Sequence, residues 1–306
     1  MNSKEIKIIG LGATVQNVLR AIAKSNLGNA EYTFCSTNVK NLAEEKELPK
    51  LQIGMAATGG SGTGGNIELG RLSAIESTNK IAELFDNYFK TAIFITRLGI
   101  GSGTGAIPIM VQIAKEKKLF TIVVVYTPFQ FERDNQYKVV NETIEALKKQ
   151  ADFVLVIDDI KIQKRYSNLS FKMGFEKEGY AITQLIKILF PTNSLKNNIT
   201  SLKKRIVKIK QGQSIYFGYG EAQGKFKERQ AIHEVLKNAL SEREDIYGVR
   251  NVFVHIGCDN PEITVDVISK IHEAIFQNAG NEGEITFSIE KSITVDDFLS
   301  IVIIAS

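Results

Sequence analysis

Two glycine-rich segments carry most of the chemical signal in this 306-residue chain: Gly59-Gly-Ser-Gly-Thr-Gly-Gly65 and Gly99-Ile-Gly-Ser-Gly-Thr-Gly105. Glycine lets a backbone come close to an anion, and hydroxyls such as those of Ser102 and Thr104 add donors. The second segment follows a strand-like run, Thr91 to Thr96, and leads into a helix-like run, Ala106 to Lys117. A strand, a glycine turn and a helix start form the outline of a phosphate cradle, in which the first amides of the helix point at the ligand. Turn geometry accounts for two of the four glycines at 99–105, so an anion-binding role is the better reading. No lysine lies in that loop, which leaves the attraction to backbone amides and the helix dipole.

Other chemistries fit less well. Gly224-Lys225-Phe226 lacks the hydroxyl and the upstream glycine of a P-loop. Gly10-Leu11-Gly12 begins a dinucleotide fingerprint, but Val15 stands where its third glycine belongs and Asn38 where an acid would end the second strand. A tight turn explains that pair equally well. Ser61 sits in a glycine loop and not at a strand-to-helix elbow, which argues against a hydrolase nucleophile. His233, His255 and His272 are scattered, and Cys35 and Cys258 lie far apart, so no metal set is expected.

The elements that must position the glycines follow from periodicity. Strands are expected at 6–9, 32–35, 92–96, 120–126 and 153–157, with helices at 15–24, 67–90, 106–117 and 135–149 between them. Alternation at this spacing predicts an α/β domain, a parallel sheet with helices on both faces. A helix over 172–190 ends at Pro191. Strands near 214–219, 250–256, 284–288 and 299–305, with helices near 226–240 and 261–277, make a smaller α+β unit. The expected division is 1–171, a central helix 172–190, and 191–306.

Composition sets outer limits. With 38 Lys plus Arg against 34 Asp plus Glu, the net charge of +4 is too mild to imply nucleic-acid binding by itself. No apolar run approaches the ~20 residues of a membrane helix, so direct membrane insertion is not expected. Two cysteines without a leader-like N-terminus fit a reduced, cytoplasmic protein.

Several ordered motifs together resemble the tubulin/FtsZ family, with Bacteroidetes-type FtsZ nearest in pattern. Gly99 to Gly105 is similar to its signature loop. Ile6 to Gly12 resembles its first strand and turn, and Cys35-Ser36-Thr37-Asn38 the turn after its second strand. Thr58 to Arg71, with Gly62, Thr63, Gly64, Gly65 and Asn66, resembles its second glycine loop. Thr127-Pro128-Phe129-Gln130-Phe131-Glu132 matches a family motif, and Tyr166 to Phe175 resembles the approach to its core helix. The resemblance runs from about Glu5 to Ala305. It implies a Rossmann-like GTPase domain, a central core helix and a C-terminal α+β domain. It implies bound GTP or GDP, with Mg2+ as an optional companion, and head-to-tail filaments in which the next subunit supplies acids for hydrolysis. Carried residue by residue, the nucleotide set is Gly10, Gly12, Ala13, Thr14, Asn17, the 62–66 loop, Gly99, Gly101, Ser102, Gly103, Thr104, Gly105, Glu132, Gln136, Phe175 and Gly179. Asp158-Asp159, at a strand end, fits turn capping or ribose contact better than Mg2+.

The departures fall on function. The family's glycine-rich first loop is here Gly12-Ala13-Thr14-Val15-Gln16-Asn17, and Ile100 replaces a signature glycine. Gln136 stands for an arginine, and Gly179 for the aspartate that pairs with the guanine edge; Glu178 is one residue away as a substitute, but a helix turns ~100° per residue, which argues against direct replacement. The acidic hydrolysis loop aligns with Asn198, Thr200 and Lys203, and no Asp or Glu occurs between Gly179 and Gly220. A positioned acceptor for the attacking water is typically worth ~10²–10⁴ in rate. The expectation is therefore a guanine-nucleotide-binding filament subunit with weak or absent hydrolysis, associating with itself or a related FtsZ. The alternative is a nucleotide-free pseudo-GTPase that works through its surfaces, and a fully active enzyme with acids from elsewhere ranks last. Lys203, in a basic segment with Lys196, Lys204, Arg205, Lys208 and Lys210, either meets phosphate across a filament junction or forms a solvated helix face; a nucleic-acid patch is a third reading, with little aromatic interleaving for base stacking. Nothing after Ala305 resembles the peptide by which FtsZ proteins dock on membrane adaptors.

Overall fold

The computed structural model describes residues 4–25, 27–85, 88–128, 136–165, 167–190, 199–210, 214–258, 263–291 and 297–306. Contacts divide the chain into two compact units, residues 1–180 and 181–306. The cut falls inside the long helix Phe171–Leu189 that the sequence marks as central.

In the first unit, strands β1 (Ile6–Leu11), β2 (Ala30–Ser36), β3 (Lys50–Gln52), β4 (Thr91–Arg97), β5 (Phe120–Tyr126) and β6 (Phe153–Ile157) form one sheet. Its order is β3-β2-β1-β4-β5-β6, and every pairing is parallel. The near-continuous apolar runs of β1, β4 and β5 reflect burial on both faces, as covering helices require. Phe94, Ile9 and Val123 are fully buried. Each such side chain contributes about 1.5–3 kcal/mol relative to exposure. From β1 the chain moves to one side through β2 and β3, then crosses to β4 and continues the other way. That reversal opens a crevice beyond the carboxyl ends of β1 and β4, where open α/β sheets bind ligands.

The first unit's helices are α1 (Gln16–Lys24), after a 3-10 turn at Ala13–Val15, α2 (Val39–Glu44), α3 (Met55–Thr58), α4 (Ile67–Glu76), α5 (Thr78–Ala82), α6 (Gly101–Glu116), α7 (Tyr137–Gln150), α8 (Asp159–Arg165) and the start of α9 (Phe171–Leu189). Two expectations are corrected. The single helix over 67–90 is two short helices, because the backbone leaves helical geometry at Ser77. Ser77 stays there because its Oγ accepts a hydrogen bond from the Gly54 amide, 2.9 Å. The expected loop at 101–105 is instead the first turn of α6.

In the second unit, α10 (Ile199–Lys210), β7 (Tyr216–Gln223), α11 (Lys227–Lys237), β8 (Asn251–Cys258), α12 (Val265–Asn278), β9 (Glu284–Lys291) and β10 (Phe298–Ala305) build a mixed four-stranded sheet, order β7-β10-β8-β9. The final strand, β10, is central, antiparallel to both β7 and β8. Ile301 and Ile303 of β10 pack with Val235 of α11 and Ile271 and Ile275 of α12 in its core.

Candidate functional site

Strands β1, β2 and β4 end level with one another: Leu11 pairs with Cys35 on one side and with Thr96 on the other. A cavity of about 280 Å3 opens at those ends. Three turns and one helix start enclose it: Gly12–Thr14 after β1, Ser36–Asn38 after β2, Ser61–Gly65, and Ile100–Gly103 at the head of α6. Arg97, the last residue of β4, completes the wall.

The turn after β1 is held by Gly12, whose amide donates to the Cys35 carbonyl at 2.9 Å. Ala13 and Thr14 are exposed at the mouth, while Val15, in place of a third glycine, is buried in the core. On the β2 side, Asn38 has two roles. Its Oδ1 accepts from the Lys40 amide and caps α2, and its Nδ2 donates to the Ser61 carbonyl at 3.0 Å, tying the second glycine loop to the sheet.

The two glycine segments meet directly. The Gly101 amide donates to the Gly65 carbonyl at 3.0 Å, and a Cβ on Gly101 would lie 2.1 Å from Thr63 Oγ1. Further along α6, a Cβ on Gly105 would lie 2.0 Å from the Ile67 carbonyl oxygen and 2.6 Å from the Arg71 amide. Glycine there lets α6 press against α4. The amides of the first helical turn have no carbonyl four residues back, so those of Ser102 and Gly103 remain for a ligand at the cavity wall. Thr104 is buried, and its hydroxyl accepts from the Gly99 amide at 2.8 Å, which closes the turn from within.

The sequence-derived set therefore divides. Gly12, Ala13, Thr14, Gly62, Thr63, Gly64, Gly65, Gly101, Ser102 and Gly103 border the cavity. Gly10 lies in β1 against Leu19, Asn66 caps α4 by accepting from the Leu69 amide, and Gly99, Thr104 and Gly105 shape the turn and the helix packing. Asn17 accepts a hydrogen bond from Arg20 Nη1 at 3.3 Å. Arg20 in turn pairs with the buried Glu45, which also receives Gln16 and the amides of Glu47 and Leu48. Burial opposes the Glu45 charge, but these donors together hold its carboxyl below the ordinary value. Gln136 lies beside Gly99 with its Oε1 buried. Gly179 packs on α1, where a Cβ would meet Ala21 Cβ at 2.5 Å and the Val18 carbonyl oxygen at 2.9 Å. Phe175 lies on α9, and Thr200 and Lys203 begin α10 with Lys203 exposed. Glu132 and Asn198 fall outside the described residues.

Arg97 is the residue that the sequence reading missed, whereas Asp159 and Glu178 beside it were weighed there. Arg97 is 4% exposed and pairs with Asp159, which is 0% exposed, at the start of α8. The guanidinium stands 5.5 Å from the centre of the Tyr126 ring. Glu178 of α9 completes the cluster, and burial pushes its carboxyl up to about 7 against the pull of Arg97. The available signal was a charged residue ending an otherwise apolar buried strand beside a glycine turn. Asp158 takes the capping role, its Oδ1 accepting from the Ile160 amide at 3.0 Å. Among the described residues, no group of three or more His, Cys, Asp or Glu could hold a metal ion. No helix among them is long and apolar enough to cross a membrane.

A parallel six-stranded sheet with a glycine-lined cavity at its switch point defines a doubly wound α/β class of protein. Comparison with known proteins narrows it. Residues 5–167 match the Tubulin/FtsZ family, GTPase domain. The chain is 29% identical to the cell division protein FtsZ of Aquifex aeolicus, over 100% of this chain and 83% of that protein. It is 30% identical to the mitochondrial division protein fszB of Dictyostelium discoideum, over 90% of this chain and 76% of that protein. The structure of an empty FtsZ dimer from M. jannaschii superposes with a TM-score of 0.83 at 23% identity, covering 99% of this chain and 88% of that one. The chain belongs to the Tubulin/FtsZ family, and the likeness to FtsZ extends through both units.

Proposed function

We propose that this protein binds guanine nucleotide, with its phosphates in the cavity beyond β1 and β4, and assembles head to tail while hydrolysing the nucleotide slowly or not at all. The observation that carries this reading is the convergence of two glycine segments on one wall, with the open amides of α6 and the hydroxyls of Thr63 and Ser102 around it. Those groups fit a phosphate chain, whose oxygens need donors at short range. Gly12 faces Ser102 Oγ across the cavity, so the turn after β1 leaves the approach open despite Ala13 and Thr14. Family membership supports the guanine base and self-association.

Slow hydrolysis follows from the chemistry of the second unit. A neighbouring copy that presented the start of α10 would bring Thr200 and Lys203, not carboxylates. An ammonium has no lone pair with which to orient or deprotonate water, but it pairs well with phosphate. In this reading Lys203 stabilises the junction instead of clearing it. The test uses protein stripped of nucleotide, titrated with GTP while phosphate release is followed. Saturable binding with release at the level of a protein-free blank is expected, and no binding at high micromolar GTP contradicts the reading. The Thr200→Asp/Lys203→Asp variant should raise turnover about 10-fold or more if the missing acceptor is the limiting defect. An unchanged rate would place the defect in the cavity.

A second reading, a nucleotide-free pseudo-GTPase, is favoured by two observations beside the cavity. Asn17 is engaged by Arg20, and α1 fills the space in which a side chain at 179 would stand. It predicts self-association that is indifferent to added GTP.

A further inference from the structure

Strand β9 ends the sheet of the second unit, and among the described residues no strand lies beyond it. We propose that the outer edge of β9 pairs antiparallel with β9 of a second copy of this chain, in the register that sets Ser288 opposite the partner's Ser288. The contact lies apart from the cavity beyond β1 and β4 and does not depend on what that cavity binds.

The direction of the backbone is the first support. The Glu284 amide donates to the Arg250 carbonyl at 2.8 Å, and the parallel ladder with β8 runs unbroken from Asn251 beside Glu284 to Cys258 beside Lys291. In such a ladder alternate residues bond to the neighbouring strand. Glu284, Thr286, Ser288 and Glu290 therefore bond to β8, and the amides and carbonyls of Ile285, Phe287 and Ile289 point outward. Composition is the second support. Soluble proteins blunt a bare edge with a short strand, a bulge, a proline or a central lysine. β9 has eight residues, a regular ladder and Ile285-Thr-Phe-Ser-Ile289 at its centre, with its one lysine at the end. Residues 285–290 are all partly exposed, although three of them are large and apolar. The opposite edge, β7, has cover of its own: the Phe217 carbonyl accepts from the Leu240 amide at 2.7 Å, and the Phe217 amide donates to Ser241 Oγ at 2.8 Å.

The occupant follows from the strand's own sequence. Two identical edges paired antiparallel make a closed, isologous contact. Two symmetric registers match the outward groups. One, centred on Phe287, sets Glu284 opposite the partner's Glu290, and like charges directly opposite are destabilising. The other, centred on Ser288, sets Phe287 opposite the partner's Ile289 and Thr286 opposite the partner's Glu290. It joins an aromatic to a β-branched side chain twice, a favourable cross-strand pair, and opposes no like charges within the strand. Glu284 and Glu290 are already held in their own chain, by Lys208 at 2.8 Å and Lys187 at 3.1 Å, so the second copy need not supply a cation. A strand from another protein would gain the backbone bonds without this self-matching. The pairing adds about eight backbone hydrogen bonds. It falls at the low end of interface sizes, which gives a weak dimer.

The experiment uses the full chain, stripped of nucleotide and kept without it, in sedimentation-velocity runs from low to high micromolar protein. A monomer–dimer equilibrium that stops at two copies is expected, whereas head-to-tail contacts would continue into longer species. Ile289→Lys puts a charge on the edge and should weaken the dimer about 10-fold or more, with circular dichroism as the folding check. Ser288→Cys supplies a test that stands if Ile289→Lys fails to fold. At the two-fold position the Cα atoms of opposed residues are about 4.5 Å apart, within reach of a disulfide. Oxidised with diamide, Ser288→Cys should give a covalent dimer on a non-reducing gel. Thr286→Cys, which stands opposite the partner's Glu290, should not, and neither should the parent, whose Cys35 and Cys258 are buried. A parent that stays monomeric at high micromolar concentration overturns the proposal, and with it the second copy as the occupant of this edge. So does a dimer that Ile289→Lys leaves unchanged, or a folded Ser288→Cys chain that gives no more covalent dimer than Thr286→Cys.

Discussion

Glu178 illustrates how a single buried carboxyl couples the cluster beneath the cavity to pH. Burial raises it from an ordinary 4.5 to about 7, partly countered by the nearby Arg97 charge. The folded chain therefore holds a proton that the unfolded chain releases between those two values. Stability falls as pH rises through that window, and the penalty is complete above pH 7, amounting to about 3 kcal/mol as an upper figure. Glu178→Gln should melt at higher temperature than the parent at pH 8, with the gap closing by pH 4.5. Thermal melts at the two pH values check this, and a gap of constant size contradicts it. The residue scale is also where the sequence was least legible. Gly12, Ser102 and Thr63 are recognisable as site residues because glycine and hydroxyl types cluster locally. Arg97 is 62 residues from Asp159 and 81 from Glu178, and only the packing of two helices beside the sheet brings its charge next to those carboxyls.

At the scale of elements, the packing of α6 against α4 determines where the glycine-lined cavity stands. Glycine in a helix interior costs roughly 0.5–1 kcal/mol relative to alanine, so several in one first turn read from sequence as a loop. The structure shows why they are tolerated: Gly105 and Gly70 let two helices approach backbone to backbone, with a Gly70 Cβ 2.5 Å from the Gly101 carbonyl oxygen. Gly105→Ala places a methyl group against the Ile67 carbonyl and the Arg71 amide, neither of which can rotate away. A loss of about 1–3 kcal/mol is expected from such overpacking. Ala at Gly103 would strike the Arg97 carbonyl in the same way. Denaturant titration of Gly105→Ala checks the magnitude, and a change below ~0.5 kcal/mol would show that the helices are free to separate. Strand positions were legible where helix boundaries were not. Apolar runs such as Phe120–Tyr126 and Phe153–Ile157 are bounded by turns on both sides. The run from 67 to 90 stays amphipathic past its break, and the break depends on a bond from Gly54, 23 residues away.

For the whole molecule, the division of labour between the units is the main consequence. The first unit presents a glycine-lined cavity at the switch point of a six-stranded sheet. In the proposed head-to-tail assembly, the second unit of a neighbouring copy would present a helix start that bears Thr200 and Lys203. Under the proposed function binding and cleavage separate: the glycine segments would retain phosphate, while Thr200 and Lys203 offer no carboxylate to activate water. Fold and family were both readable from ordered motifs along the chain, because each motif sits at a strand end that the parallel sheet aligns. The fate of the nucleotide was not readable in that way, since it depends on two copies meeting. The direct measurement is to sediment assembled protein with doubly labelled GTP and identify the nucleotide in the pellet. The account predicts close to one nucleotide per chain, recovered as GTP with its terminal phosphate intact. A pellet free of nucleotide, or one containing GDP with free phosphate in the supernatant, would contradict it.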